Sequence, residues 1–432
     1  MRYFLNIIVS LLNRPEKVTL PTLPPEIMQQ ILKYVQETSS LHSSLLVNRY
    51  WCQNVVPLLW NNPFKQLPKR NSHRLIRTYL LCLNKEENFL LDFNLKPYLN
   101  VMNLIPRRTL FEYPFFLNEI SFKDLERVVS STVLKWCDRE TKQEHKPIMA
   151  QIVISILFQL FTRMSTNLRS IILNNDFDTP ELVAFTNFNI LLSQLRKLKV
   201  LFTPLSQNII QLLDIISSNC KDLRCLDFRL SSLNYTPELI QLISTIIKSQ
   251  NYINEFTIAN ISNGSDPIFS SLHSHKKSLK SLKIIHTQLT EPSINIINQF
   301  NKLHTLCLCF CGGLSISIMK CNFPLLRNLH LSYLYYPSDI TTKIIEKYGK
   351  SLNQIGFNFT DYEVITSNNN KILSLCPNIT ELSVSFYAKQ ATLDHDFVDT
   401  EMIKWNQRID ELYTLRKLNI FSLDNSKESY YY

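Results

Sequence analysis

Residues 279–300 read LKSLKIIHTQLTEPSINIINQF, and this one stretch carries the plan of most of the chain. Leu279, Leu282 and Ile284 follow the pattern L-x-x-L-x-L, whose last two apolar residues alternate as they do on a strand with one face buried. Further on, Pro292 stands in what reads as the first turn of a helix, where its missing N–H costs nothing. The same triad, with Ile, Val or Phe as substitutes, begins at Leu168, Leu195, Leu223, Ile253, Leu279, Leu303, Leu326, Leu352, Ile379 and Leu415. A strand that short buries its apolar face only by stacking on neighbours, so the recurrence predicts a repeat array over residues 166–423.

Between the triads, apolar residues take helical spacing, as at Ile209, Leu212, Leu213 and Ile216, or at Leu239, Leu242, Ile243 and Ile246. Pro180, Pro237 and Pro292 open such segments, and TPEL occurs at both 179–182 and 236–239. A strand and a helix in each unit resemble the leucine-rich repeat. The ninth position of that motif, often Asn or Cys, is Thr203, Ser231, Thr287, Cys311 or Thr360 in half of the units. It is Asp176, Ile261, Leu334, Tyr387 or Leu423 in the others, so the expected fold is an irregular α/β horseshoe.

Residues 21–64 differ in kind and read as three short helices. LPPEIMQQILKYV places Ile27, Ile31, Tyr34 and Val35 on one face; a second helix carries Leu41, Leu45 and Leu46; a third carries Trp51, Val55, Leu58 and Leu59, with Pro57 bending or ending it. So small a unit cannot shield all of these side chains, and part of the surface wants a partner. Leu23-Pro24-x-Glu26, LLVNRYW at 45–51 and VVPLLWNNP at 55–63 resemble an F-box, with Asn48 where many members have Cys. Joined to leucine-rich repeats, the unit is similar to the divergent fungal-type F-box receptors. That resemblance implies binding of the small acidic adaptor of an SCF-type ubiquitin ligase and, through it, the cullin scaffold. The adaptor surface it implies comprises Leu23, Pro24, Ile27, Ile31, Val35, Leu45, Leu46, Val47, Asn48, Trp51, Val55, Leu58 and Trp60.

Residues 65–165 are read as a basic linker followed by a helical connector. KQLPKRNSHRLIR, at 65–77, has five Lys and Arg and no acid, the composition of a solvated linker or of a contact with an acidic partner. SFKDLERVVSSTVLKW spaces Leu125, Val128, Val129, Thr132 and Trp136 helically, and the helix is expected to cap the first repeat. The leader, residues 1–20, has a short apolar stretch without a small-x-small cleavage site, and the tail, 424–432, carries no readable signal.

Composition narrows the chemistry. The 432 residues include five glycines, of which only Gly312 and Gly313 are adjacent, so phosphate-cradling loops are not expected. Ten cysteines without a paired framework suit reduced thiols and a cytoplasmic or nuclear setting, although five Asn-x-Ser/Thr sequons point weakly elsewhere. Cys307, Cys309 and Cys311 alternate along one strand, which puts Cys311 inward and the other two outward, so no metal site is expected. QIVISILFQLF, at 151–161, reads as a buried helix rather than a span because Gln159 interrupts it and Arg163 follows. No cofactor, nucleic acid or membrane partner is expected, and no nucleophile elbow or zinc-hydrolase motif points to an enzyme.

The residues that alternate with the inward triads give a candidate target-binding row on the strand-lined concave face: Lys199, Asp227, Lys283, Cys307 and His330. One step after each leading Leu, Arg196, Arg224, Lys280 and Arg327 form a basic rim suited to an acidic or phosphorylated target, or simply to solubility. The expected function is that of a substrate receptor holding an unnamed protein target; the alternative is a repeat scaffold whose F-box acts outside a ligase.

Overall fold

The structure, a computed structural model, describes residues 23–35, 37–65, 67–98, 109–137, 142–174, 188–201, 207–230, 236–313, 317–332, 338–359, 374–387 and 417–423. The leader, Asp176, Pro180 with the first TPEL, Thr203, Ser231, Leu334, Thr360, Leu415 and the tail lie outside the described residues. The chain forms two compact units, Met1–Asn61 and Asn62–Tyr432.

Among the described residues, the first unit has three helices: α1 (Pro25–Lys33), α2 (Thr38–Ser44) and α3 (Arg49–Leu59). Proline at the first position of α1 fixes a helical φ where no N–H partner is needed. The core is Met28, Leu32 and Val55, with Val35, Leu41, Leu45, Tyr50, Trp51, Leu58 and Leu59 packed around it. Pro57 sits inside α3, which continues to Leu59.

The second unit begins with aromatic packing. Phe64 is fully buried, stacked on Tyr79 at 5.6 Å and edge-on to Phe161 at 6.2 Å. Tyr79 belongs to α4 (Ser72–Leu80), which also buries Leu75, Ile76 and Leu80. The basic stretch read as a solvated linker is therefore largely a packed helix: its apolar residues take the inner face while Arg74 and Arg77 stay exposed. A capping box between Asn84 and Glu87 starts α5 (Lys85–Leu95). Glu87 also accepts two 2.8 Å hydrogen bonds from Arg163 at the end of α7 (His145–Met164). Helix α7 is long and apolar enough to cross a bilayer by length and composition. Here that surface is spent on packing, with Met149, Val153, Leu157, Phe158 and Phe161 buried and Phe158 stacked on Phe122 at 5.0 Å.

Phe122 opens α6 (Phe122–Trp136), capped by Ser121, whose Oγ accepts from Asp124 N at 3.3 Å. Just before it, β1 (Glu119–Ser121) starts a sheet that continues through β2 (Ser170–Asn174), β3 (Lys197–Leu201), β4 (Cys225–Arg229), β5 (Glu255–Ala259) and β6 (Ser281–Ile285). It goes on through β7 (Thr305–Cys309), β8 (Asn328–Ser332), β9 (Gln354–Phe359), β10 (Glu381–Tyr387) and β11 (Lys417–Leu423). All pairs are parallel and strand order equals chain order. With connections of one hand, neighbours in chain order place their crossover helices on a single face.

The register explains the triads. Ile171, Leu198, Leu226, Phe256, Leu282, Leu306, Leu329, Ile355, Leu382 and Leu418 stand side by side, as do Leu173, Val200, Phe228, Ile258, Ile284, Leu308 and Leu331. From β2 to β8 every one of these is at most 3% exposed. Leading residues from Leu168 to Ile379 are buried too. A further copy of the pattern, Leu117, Ile120 and Phe122, precedes the array expected from sequence; all three are buried, and β1 is its strand. The spacing to Leu168 is about twice the usual period because α6 and α7 are both inserted there.

A backbone device sets the spacing. The carbonyl of the residue before each strand accepts both the corresponding N–H and the next one from the following strand. Thus Arg169 O binds Arg196 N and Lys197 N at 2.8 and 2.9 Å, and Lys280 O binds His304 N and Thr305 N at 2.8 and 3.0 Å. The ladder runs from Asn118 O to Thr380 N and Glu381 N by way of Asn353 O. Beyond β5, β6 and β7 the chain turns through left-handed φ at Asn260, His286 and Phe310 (64°, 46° and 54°). That region is uncommon for residues other than glycine, and more so for Phe than for Asn or His. The rings of His286 and Phe310 stack there at 4.1 Å.

Candidate functional site

In the first unit, the helix that follows Pro24 splits its apolar residues between two faces. Met28 and Leu32 turn inward at 5% and 1% exposure, while Ile27 and Ile31 stay exposed on the other side and Tyr34 more so. The face that sequence spacing marks with Ile27, Ile31 and Tyr34 is thus the outer one. The inner one, Met28 and Leu32, has the same spacing one residue later. Leu23 and Pro24 are exposed at the start of the helix, and Tyr50 Oη donates to Leu23 O, tying this end to α3.

Leu46 and Val47 follow α2 and are 87% and 56% exposed. Asn48 is exposed yet serves the fold. In extended backbone, its Oδ1 accepts from Trp51 N at 2.9 Å and caps α3. Val35, Leu45, Trp51 and Leu58 pack against the core and are half-buried, as is Trp60 at the end of α3. Val55 is a correction. It is fully buried against Met28 and Leu32, because on α3 it lies on the inward side that helix packing must fill, and it offers nothing to a partner. Tyr34, absent from the expected adaptor surface, is among its most exposed apolar groups.

The outer face of the sheet carries the second candidate surface. Lys199, Asp227, Thr257, Lys283, Cys307, His330, Gly356 and Ser383 occupy one continuous row by register. Lys199, Lys283 and His330 are half-buried. Asp227 and Cys307, expected to face a target, are 5% and 6% exposed. Asp227 is covered because Arg229 folds back on it, Nε to Oδ1 at 3.0 Å, and Cys307 because Ala259, Ile285, Cys309 and Phe310 close over it.

The rim residues are also partly engaged. Arg196 pairs with Asp222 at 3.1 Å, and Asn251 donates to the same carboxylate at 2.8 Å; the two hold Asp222 below the usual carboxylate range, Asn251 foremost. Arg224 lies 5.0 Å over the Tyr252 ring, and Arg327 donates to the Leu326 and Ser351 carbonyls. Of the four, only Lys280 stands exposed without such a contact among the described residues. The rim is basic, but most of its charge is anchored along the array.

Between these rows lies a depression of about 210 Å³ whose walls include Lys283, Cys307, Asn328, His330, Gln354, Gly356 and Glu381, with Arg229 at one end. Gly356 shapes its floor: a Cβ there would stand 1.8 Å from His330 Nδ1, so only glycine lets that ring lie down across the strand. Gln354 and Glu381 were not among the expected target residues; their signal is the register itself, since they continue the row of Thr305 and Asn328.

The hydrogen bond shared with Cys309, 3.3 Å away, and burial push Cys307 up, and burial pushes Cys311 up as well. None of the ten cysteines is in a disulfide, and among the described residues no group of three His, Cys, Asp or Glu is arranged to hold a metal ion. The pair Gly312–Gly313 lies against Gln288 and Leu289 of the preceding repeat.

Comparison with known proteins adds one finding. A family model described as F-box-like matches residues 20–66, which takes in α1, α2 and α3 together with Phe64. F-box domains bind adaptors of the SCF type and so reach the cullin scaffold. No curated protein matches the chain.

Proposed function

We propose that this chain is a non-catalytic substrate receptor of an SCF-type ubiquitin ligase, working in the cytoplasm or nucleus. In this reading the three-helix unit holds the small acidic adaptor, and the parallel sheet with its helices is an irregular leucine-rich-repeat horseshoe that holds a protein target. Ubiquitin transfer is done by other subunits, and the receptor contributes by making the encounter effectively intramolecular. The observation that carries the proposal is the outward apolar surface of Leu23, Ile27, Ile31, Tyr34, Leu46 and Val47 on a unit whose core is filled by other residues. An apolar patch of that kind marks a docking surface, and it falls within the F-box-like match. The repeat reading is supported by the buried triads standing in register in every strand from β2 to β8.

The test is capture of purified adaptor and cullin by the full chain. Replacing Leu23 and Pro24 together by Ala is expected to weaken adaptor capture by orders of magnitude with the melting profile preserved. Wild-type capture by that variant refutes the adaptor assignment. Adaptor binding without a cullin in the complex refutes the ligase role and leaves a scaffold.

A further inference from the structure

The N-terminal ends of β6, β7 and β8 form a cationic edge. Between residues 267 and 332 seven Lys and Arg stand against one acid, Glu291. Glu291 opens the helix Glu291–Ile297, which begins only after β6 has ended, so it belongs to the opposite end of the repeat. The cations converge where the strands start. Lys280 O accepts from His304 N and His304 O from Arg327 N, which sets these three residues side by side. His273 Nε2 lies 2.8 Å from Gln299 Oε1, placing the loop of Lys276 and Lys277 beside that of Lys302.

No acid neutralises this edge among the described residues, and the stretches around it, 236–313 and 317–332, are described without a gap. Lys277, Lys280 and Lys302 are exposed and make no hydrogen bond or ion pair there. The Lys276 ammonium lies 3.3 Å from His273 Nε2, and Arg327 donates to the Leu326 and Ser351 carbonyls, so both meet neutral groups and keep their charge. Lys347 shows the structural alternative, since its Nζ donates to the Met319 and Cys321 carbonyls at 3.1 and 2.6 Å. Along the strands, the acid nearest Lys280 is Glu255 of β5. It lies against the Cys225 thiol of β4, on the side away from β6.

The kind of cation narrows the ligand. Lys276, Lys277, Lys280 and Lys302 offer ammonium point charges, and the one guanidinium, Arg327, is engaged with carbonyls. Bidentate capture of a phosphate wants a free arginine fork, so the edge suits several separate carboxylates better than one phosphate. Backbone N–H groups at the strand starts are taken by the carbonyl ladder, which leaves recognition to side chains. We propose that the N-terminal edge of β6 to β8 binds an acidic run of the protein target, a series of Asp and Glu side chains extended across the strands. Two strand spacings of roughly 4.8 Å separate Lys280 from Arg327 by about 10 Å, and at about 3.3 Å per residue a run of about four acidic residues covers that distance. This rests on the reading of the sheet as the target-binding part of a receptor, and it adds the chemical class of the segment recognised.

Fluorescence anisotropy of the full-length protein with three labelled probes of matched charge tests this. One is a capped peptide with a run of Glu among Ser and Gly, one a capped peptide with phosphoserines in place of that run, and one a short oligothymidylate. The Glu peptide is expected to bind tightest, with an affinity that falls as salt is raised. Lys277→Glu, Lys280→Glu and Lys302→Glu combined should weaken it about tenfold or more, with the melting curve unchanged because all three side chains are exposed. Lys69→Glu, Lys85→Glu and Lys123→Glu combined remove the same charge from exposed positions in the helical connector and should leave binding within about twofold. Equal losses in the two triple variants would show a response to net charge alone and overturn the proposal. Tighter binding of either phosphate probe, no binding by the wild-type chain, or an edge variant indistinguishable from it each overturn it too. Adaptor capture is measured on the same preparations. Intact capture without selection of the Glu peptide overturns this inference alone, whereas failed capture by the wild-type protein overturns the receptor reading on which it rests.

Discussion

Leu46→Ala separates docking from folding more cleanly than any other substitution in the first unit. Leu46 is 87% exposed, so it contributes little to the folded chain, and its truncation should change stability by no more than about 0.5 kcal/mol. Fully burying a Leu side chain is worth about 1.5–3 kcal/mol, and nearly all of that is still to be gained when an adaptor covers it. After allowing for the methyl that Ala retains, the loss on binding is about 1–2 kcal/mol, or a 5- to 30-fold weaker Kd. Isothermal titration of purified adaptor into the full chain reads this directly. Leu32→Ala is the contrast: at 1% exposure it should cost about 2–5 kcal/mol of folding stability and abolish binding by unfolding the unit. A Leu46→Ala protein that binds adaptor with wild-type affinity and melts normally would refute the claim that this surface is the docking face.

Asn48→Ala leaves Trp51 N without its acceptor and should destabilise the first unit by about 1 kcal/mol, visible as faster limited proteolysis between α2 and α3; unchanged proteolysis would remove the capping role. Leu306→Asp puts a carboxylate between Leu282 and Leu329 at a site only 3% exposed, and denaturant titration should show a loss above about 4 kcal/mol. Wild-type stability there would contradict a stacked interior. Burial holds the His275 imidazole below its ordinary pKa, although its Nε2 lies 2.9 Å from Ile247 O, which acts the other way. The unfolded chain therefore binds the proton more readily, so this residue's contribution is intact above about pH 6.5 and declines as pH falls below it. His275→Gln should flatten the stability–pH slope in that window, and an identical slope would show that the proton is not excluded.

Legibility followed periodicity. The triads were readable because a strand one face deep must repeat every second residue, and their leading residues, from Leu168 to Ile379, sit in the core as the pattern requires. The copy at Leu117 was hidden by the two helices that separate it from the next and by Phe122, which serves the triad and opens α6 at once. In the first unit, Ile27 and Ile31 look like a core face by spacing alone. Met28 and Leu32 have the same spacing, and only the position of α3 decides which pair is covered. Charge misled at 65–77, where five cations conceal Leu75 and Ile76, and again at the rim, where contacts with Asp222 and Tyr252 cannot be seen in one dimension. Left-handed backbone at Phe310 has no sequence signal, since so bulky a residue does not favour it.

The carbonyl ladder leading into the strands makes no demand on the side chain that carries it. Asn118, Arg169, Arg196, Arg224, Asn254, Lys280, His304, Arg327 and Asn353 all accept the two hydrogen bonds with an atom that every amino acid has. Assembly and side-chain chemistry are thereby written in different parts of each residue. The side chains at these nine positions can be exchanged one at a time, and the carbonyls that set the register remain. For an engineer this leaves the side chains along that edge open to change while the stacking is left alone.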